Sequence, residues 1–437
     1  MLKSVPTEVE EFFSVRGNFI LAVKGPAGAG KTIFALECLR QLSSSDSCIY
    51  LSARVDPSAL YSQHPWVKDF LPPQNVVDAT AQPPPYSGGI SEAIRYGSLP
   101  EFMRELYRRV SSLKGEKPLV VVDSFDAVCQ AAGEDIGKAT SLIAWLTRKI
   151  SVKAILVSES DEKTLDYTVD GIVELRSSIV DSRLVREMWL RKLRGVNISS
   201  PVYLFTLAGG RLKLMERIEL ESELEKKAVD QPEVRLEAPE ELSPPLRDVM
   251  LVEYEPKARL TAAYTLISPM ILAAAKSGMG VVLVAPSIPR AREIEKYFSK
   301  YCERNMMKLI PLQAVAGEGA YWRLLEDIAR NVDELRSETG SVLLIVSYSG
   351  LIELLGEEPA NKAVSSLVTK AREESDAMIF TSDRPAPAVE GRAGRIVKVY
   401  NLHGYTLVAG EKPWTPLHSI SIAREGDGVV VKLTPML

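Results

Sequence analysis

Apolar residues gather in short continuous runs along this chain, with amphipathic stretches of ten to fifteen residues between them. In the first half the runs are Phe19–Val23, Cys48–Ser52, Leu119–Val122 and Ala154–Ser158. Runs of this length, apolar on consecutive residues, predict strands buried on both faces of a parallel sheet. The intervening segments from Lys31, from Leu99 to about Leu113, and from Gly137 to Ile150 repeat at helical spacing. From Gly171 onward the pattern changes to closely spaced strands, Gly171–Leu175, Leu184–Leu193, Val202–Leu207 and Arg211–Met215, which predicts an antiparallel end to the sheet. Residues 72–89, rich in proline and without periodicity, read as a loop.

A second set of runs, Gly280–Ala285, Ser341–Val346, Ala377–Thr381 and Arg395–Tyr400, alternates with helical stretches from Arg290 to Cys302 and Tyr321 to Leu335. The division expected is therefore an α/β unit over 1–220, a charged, proline-containing connector over 221–245, and a second α/β unit over 246–437. The halves echo each other. Val157-Ser-Glu-Ser-Asp161 followed by Asp170-Gly-Ile-Val-Glu-Leu175 parallels Phe380-Thr-Ser-Asp-Arg384 followed by Gly394-Arg-Ile-Val-Lys-Val399, and the run ending in Asp123 parallels the run ending in Ser347. A duplication whose second copy has lost its chemistry accounts for all three correspondences.

Composition narrows the function classes. With 437 residues, 46% hydrophobic, and a net charge of −4, the chain has core enough for two domains and no general attraction to nucleic acid or anionic lipid. No helix-turn-helix, zinc spacing or aromatic-basic repeat supports direct nucleic-acid reading. Arg104, Arg108, Arg109 and Lys114, with Arg16 elsewhere, read as solvated cations, and His64, His403 and His418 are too dispersed for a metal site. Cys38, Cys48, Cys129 and Cys302 read as free thiols, and neither a secretory leader nor a run long enough for a bilayer is evident, so a soluble cytoplasmic protein is expected.

The chemistry lies directly after the first run. Gly25-Pro26-Ala27-Gly28-Ala29-Gly30-Lys31-Thr32, continued by Ile33, matches the pattern of a phosphate-binding loop. Glycines let backbone N–H groups wrap a phosphate, Lys31 reaches the β- and γ-phosphates, and the Thr32 hydroxyl approaches Mg²⁺. Asp123, ending a strand, supplies the carboxylate that holds the metal's water shell, with Ser124 and Asp126 beside it. Mg²⁺ and ATP are the expected cofactors. Arg186-Glu-Met-Trp-Leu-Arg-Lys-Leu-Arg-Gly195 forms a basic strand end, whose alternation places Met188, Leu190 and Lys192 on one side and Trp189, Arg191 and Leu193 on the other.

The loop, the Asp123-Ser-Phe-Asp-Ala-Val block and Arg191-Lys-Leu-Arg-Gly195 before Pro201–Gly210 together resemble the KaiC-like branch of RecA-superfamily ATPases. The two-part length is most similar to archaeal GvpD-like gas-vesicle regulators. The resemblance covers roughly residues 1–215 and implies a RecA-like core there, and with the echo between the halves the second α/β unit is expected to be a degenerate RecA-like copy. It implies that Lys192 and Arg194 approach the γ-phosphate of an adjacent subunit in a homo-oligomer. It also implies a pair of glutamates just after the second strand. Here that place reads Leu51-Ser-Ala-Arg54-Val-Asp56, so Asp56 and Glu159 are the candidates for orienting water. The expectation is tight Mg-ATP binding, slow ATP hydrolysis and a nucleotide-dependent regulatory switch acting on a protein partner or by self-association. The rival classes are a DNA-dependent repair ATPase, an autophosphorylating kinase and a scaffold with a bound nucleotide.

Overall fold

The computed structural model describes the chain apart from residues 1–2, 16–18, 80–98, 114–117, 161–162, 218–233, 243–247, 256–258, 287–305, 313–318, 375 and 426–427. Most of the proline-rich stretch, most of the expected connector, Arg16, Lys114, Cys302 and the expected helix at 290–302 therefore lie outside the described residues. Two compact units emerge: Met1–Met215 with Met436–Leu437, and Glu216–Pro435.

The first unit is built on strands β1 (Ile20–Lys24), β2 (Cys48–Ser52), β3 (Val76–Asp78), β4 (Leu119–Asp123), β5 (Lys153–Ser158), β6 (Gly171–Val180), β7 (Arg183–Leu193), β8 (Val202–Thr206) and β9 (Lys213–Leu214). Among the described residues they form one sheet in the order β3-β2-β4-β5-β1-β6-β7-β8-β9. Pairing is parallel through β6 and antiparallel from there to β9. Parallel neighbours need crossover helices, and these cover both faces. Its helices are α1 (Thr7–Ser14), α2 (Lys31–Leu42), α3 (Pro57–Gln63), α4 (Leu99–Ser111), α5 (Phe125–Ala132), α6 (Ile136–Ile150) and α7 (Lys163–Thr168). Strand periodicity divides the core accordingly. Leu21 and Val23 of β1 pack with Phe12 and Phe34 from α1 and α2, while Ile20 and Ala22 pack with Phe102, Phe125 and Ile143 from α4, α5 and α6.

One register differs from strict alternation. Ile172 pairs with Lys192 and Val173 with Leu190, so a bulge falls at Arg191. The extra residue turns Leu193 onto the core side with Met188 and Leu190, rather than onto the face of Trp189.

The second unit holds β10 (Val234–Glu237), β11 (Val249–Tyr254), β12 (Gly280–Ala285), β13 (Met307–Pro311), β14 (Val342–Ser347), β15 (Ala377–Ser382), β16 (Arg395–Leu402), β17 (Tyr405–Lys412), β18 (His418–Glu425) and β19 (Gly428–Pro435). Their order is β10-β19-β18-β17-β16-β11-β15-β14-β12-β13. Read from β13, this repeats the first sheet strand for strand, with β10 added at the far edge. That added strand comes from the segment expected to be a connector and pairs in parallel with β19. The helix Arg259–Lys276 packs on one face through Leu266 and Met270, and Ala320–Thr339 on the other through Leu324 and Ile328. No helix among the described residues is long and apolar enough to cross a membrane.

Candidate nucleotide site

Four strands of the first unit end side by side. Ser52 of β2 stands opposite Asp123 of β4, Asp123 opposite Val157 of β5, and Lys24 of β1 opposite Ser158. The glycine loop leaves β1 at this edge. Gly25 has φ +147, and a Cβ there would collide with the Leu175 carbonyl oxygen, so only glycine lets the loop turn away from β6. Gly30 has φ +97 and is the N-cap of α2 without a capping side chain, which leaves the start of that helix open to an anion.

Lys31, only 7% exposed, folds back over its own loop and donates to the Gly25 carbonyl at 2.8 Å and the Pro26 carbonyl at 2.7 Å. Its ammonium also lies 3.6 Å from Glu159 Oε1. Burial lowers its pKa, opposed by the nearby Glu159 and Asp123 carboxylates. Thr32 Oγ1 and the buried Tyr50 hydroxyl each donate to the same oxygen, Asp123 Oδ2, at 2.7 Å. Desolvation raises the Asp123 pKa, against those hydrogen bonds and the Lys31 charge. A hydroxyl and a carboxylate converging beside a cationic loop is a donor set that suits Mg²⁺ with a polyphosphate: hard oxygens for the metal, ammonium and N–H groups for the anion.

The remaining candidates separate. Glu159 is at the site: its carboxylate accepts from Arg54 Nη1 at 2.8 Å, and chiefly this bond lowers its pKa. Asp126 holds its backbone, accepting from Glu159 N at 2.6 Å and Ser158 Oγ at 2.8 Å. Ser124, in turn, is the N-cap of α5. Asp56 is engaged otherwise. It caps α3, accepting from Ser58 N at 2.9 Å, Ala59 N at 3.0 Å and the Ser58 hydroxyl. Lys192 donates to the Asp166 and Val169 carbonyls at 2.8 and 2.6 Å, and Arg194 pairs with Asp170 at 2.8 Å. Both are thus engaged with the β6 side of their own unit. Among the described residues no group of His, Cys, Asp and Glu is arranged to hold a metal on its own, and Cys38, Cys48 and Cys129 are buried and in no disulfide.

Three contributors escaped the sequence reading. Tyr50 reads as a buried strand residue, Arg54 as a loop cation, and Arg186, which donates to the Gly28 carbonyl at 3.0 Å, as part of a basic strand. Only the strand order brings them to the loop, and no local pattern signals it.

Residues 9–194 match the family described as GvpD gas vesicle protein, P-loop domain. The first unit carries a GvpD-related P-loop ATPase domain of the RecA superfamily. Protein GvpD1 of Halobacterium salinarum is 27% identical over 226 residues, covering 49% of this chain and 41% of that protein. Protein GvpD2 of the same organism is 30% identical over 228 residues, covering 49% and 45%. The match thus spans less than half the length of each relative. The GvpD-related region takes in the glycine loop, Asp123, Glu159 and the basic end of β7, and stops before the second unit.

Proposed function

We propose that the first unit binds Mg-ATP, hydrolyses it slowly, and uses the nucleotide state to switch an interaction surface in a regulatory protein. The observation that carries this reading is the convergence of Lys31, Thr32 and Asp123 around an uncapped helix start. In this reading Lys31 leaves its own loop carbonyls for the β- and γ-phosphates, and Thr32 and Asp123 hold Mg²⁺ and its water. The metal neutralises charge on the β- and γ-oxygens when bound. Of the two carboxylates considered for orienting water, Glu159 is favoured, because it already contacts Lys31 while Asp56 is committed to a helix cap. A single, partly exposed carboxylate paired to cations is a weak base, which fits slow turnover.

The regulatory part of the proposal rests on the likeness to GvpD proteins and on the second unit. We read that unit as a degenerate RecA-like copy, on three supports. It repeats the strand order; Ser347 stands opposite Thr381 as Asp123 stands opposite Val157; and the sequence after β11, Glu255-Pro-Lys-Ala-Arg259, has no glycine. Such a copy offers a surface that responds without binding phosphate. The KaiC-like reading adds that Lys192 and Arg194 serve a neighbouring copy's γ-phosphate. Turnover per chain measured over a range of protein concentrations tests this. A rise with concentration that Lys192→Ala and Arg194→Ala abolish supports completion between copies, whereas concentration-independent turnover unaffected by both substitutions refutes it.

A further inference from the structure

The turn after the second strand, where the KaiC-like resemblance implies a pair of glutamates, holds the cation Arg54 instead, and that cation is built into the site. Arg54 follows β2 in a turn fixed by three contacts: Ala53 N donates to the Asp123 carbonyl at 2.6 Å, the Ser52 hydroxyl donates to the Val55 carbonyl at 2.5 Å, and Val55 N donates back to that hydroxyl at 3.3 Å. From there its guanidinium reaches Glu159 Oε1 at 2.8 Å, the same oxygen that lies 3.6 Å from the Lys31 ammonium. One carboxylate oxygen is thus shared by two cations, one nearly buried and one half-exposed. Arg54 is close enough that its charge is felt at both Lys31 and Asp123. The ion pair is too exposed to add much to folding, at 49% and 33% side-chain exposure, so its electrostatic effect falls mainly on the site.

A triphosphate brought into the loop changes this arrangement. Lys31 is drawn to the phosphates, and Glu159 loses one of its two counter-charges just as another anion arrives. An uncompensated carboxylate at that edge would repel the terminal phosphate or swing away from it. We propose that Arg54 is a positioning residue which keeps Glu159 neutralised and fixed at the end of β5 when Lys31 transfers to the terminal phosphate, so that Glu159 holds the attacking water. This rests on the Mg-ATP reading. In the step itself the water oxygen bonds to the γ-phosphorus as the bond to the ADP oxygen breaks. One water proton stays on the new phosphate, and the other passes to Glu159 and then to solvent. Arg54 acts only through Glu159, in the same chain, and differs in this from an arginine supplied by a neighbour.

The test is a double-substitution cycle in the full chain: Arg54→Ala, Glu159→Gln, the two combined, and Arg54→Lys, each measured for Mg-ATP and Mg-ADP affinity and for single-turnover hydrolysis. Arg54→Ala should weaken ATP about tenfold and leave ADP within about twofold, because the repelled group is the terminal phosphate. Adding Glu159→Gln should restore ATP affinity, since the charge that needed neutralising is gone. Arg54→Lys should keep most of the affinity and lose part of the single-turnover rate at saturating ATP, a kcat effect expected of lost positioning. Equal losses for ATP and ADP, or independent, additive effects of the two substitutions, would overturn the proposal. Failure of the underlying reading registers differently, as absence of Mg-ATP binding by the unaltered chain, and removes both.

Discussion

Glu37 is a carboxylate with no solvent exposure on α2, the helix that carries the phosphate loop at its start. It is held by Arg40 Nε at 2.8 Å, and by Arg211 through Nε at 2.8 Å and Nη2 at 3.1 Å. The Arg211 guanidinium also lies 4.8 Å from the Trp66 ring centroid, and Trp66 Nε1 donates to the Gly210 carbonyl at 3.2 Å. Arg211→Ala removes a two-pronged ion pair and a cation–π contact together. Removing one partner of a fully buried pair costs about 3–5 kcal/mol. Two features reduce that here: Arg211 is 34% exposed, and Arg40 stays with the carboxylate. Together with about 0.5–1 kcal/mol for the ring contact, the expected loss is about 2 kcal/mol. For a unit of this size that corresponds to about 4–8 °C in melting temperature, by calorimetry. Glu37→Gln in the Arg211→Ala background should recover at least about 1 kcal/mol, because the buried carboxylate left with Arg40 alone is then replaced by a neutral amide. A loss below about 0.5 kcal/mol, or additive effects within about 0.5 kcal/mol, would refute the claim that this pair fixes α2 to the segment after β8.

Asp123→Asn should stabilise the ligand-free protein by about 2–4 °C near pH 8 while abolishing the effect of Mg²⁺ on nucleotide affinity. Burial raises the folded-state pKa of Asp123 above its unfolded value, so the stability from its protonated form is present below the unfolded value and lost as pH rises through the raised one. The stabilising effect should therefore vanish as pH falls toward about 4, and melting curves across pH check the sign. Gly25→Ala should destabilise by about 2 kcal/mol or more, since the new Cβ meets the Leu175 carbonyl at φ +147, whereas Gly28→Ala, at φ +75 in open space, should cost about 1 kcal/mol. Denaturant unfolding of the two variants separates collision from backbone strain, and equal losses would contradict the assignment.

The parallel strands were legible because each is buried on both faces. Cys48–Ser52 and Gly280–Ala285 occur as read, and Leu119–Asp123 and Lys153–Ser158 extend the predicted runs by one residue. The glycine loop was legible as a candidate because its residues are contiguous. Less visible were elements whose burial comes from tertiary neighbours. The strand Val249–Tyr254 ends in Glu253 and Tyr254 and follows a proline-containing stretch, so its central place in the second sheet does not stand out in the sequence. The bulge at Arg191 was hidden because alternation is a local rule, while register is fixed by the partner strand. The site divided along the same line. Lys31, Thr32 and Asp123 declare themselves, but Arg54, Tyr50 and Arg186 acquire meaning only when β2, β4, β5 and β7 are placed around the loop.

The central claim is that the glycine loop is a working Mg-nucleotide site whose grip depends on Lys31. Calorimetric titration of Mg-ATP into the full chain and into Lys31→Ala tests it most directly. The account predicts saturable one-site binding by the unaltered chain and a loss of about a hundredfold or more in the variant, about 2.7 kcal/mol. No binding by the unaltered chain, or equal affinity with and without Lys31, would contradict it.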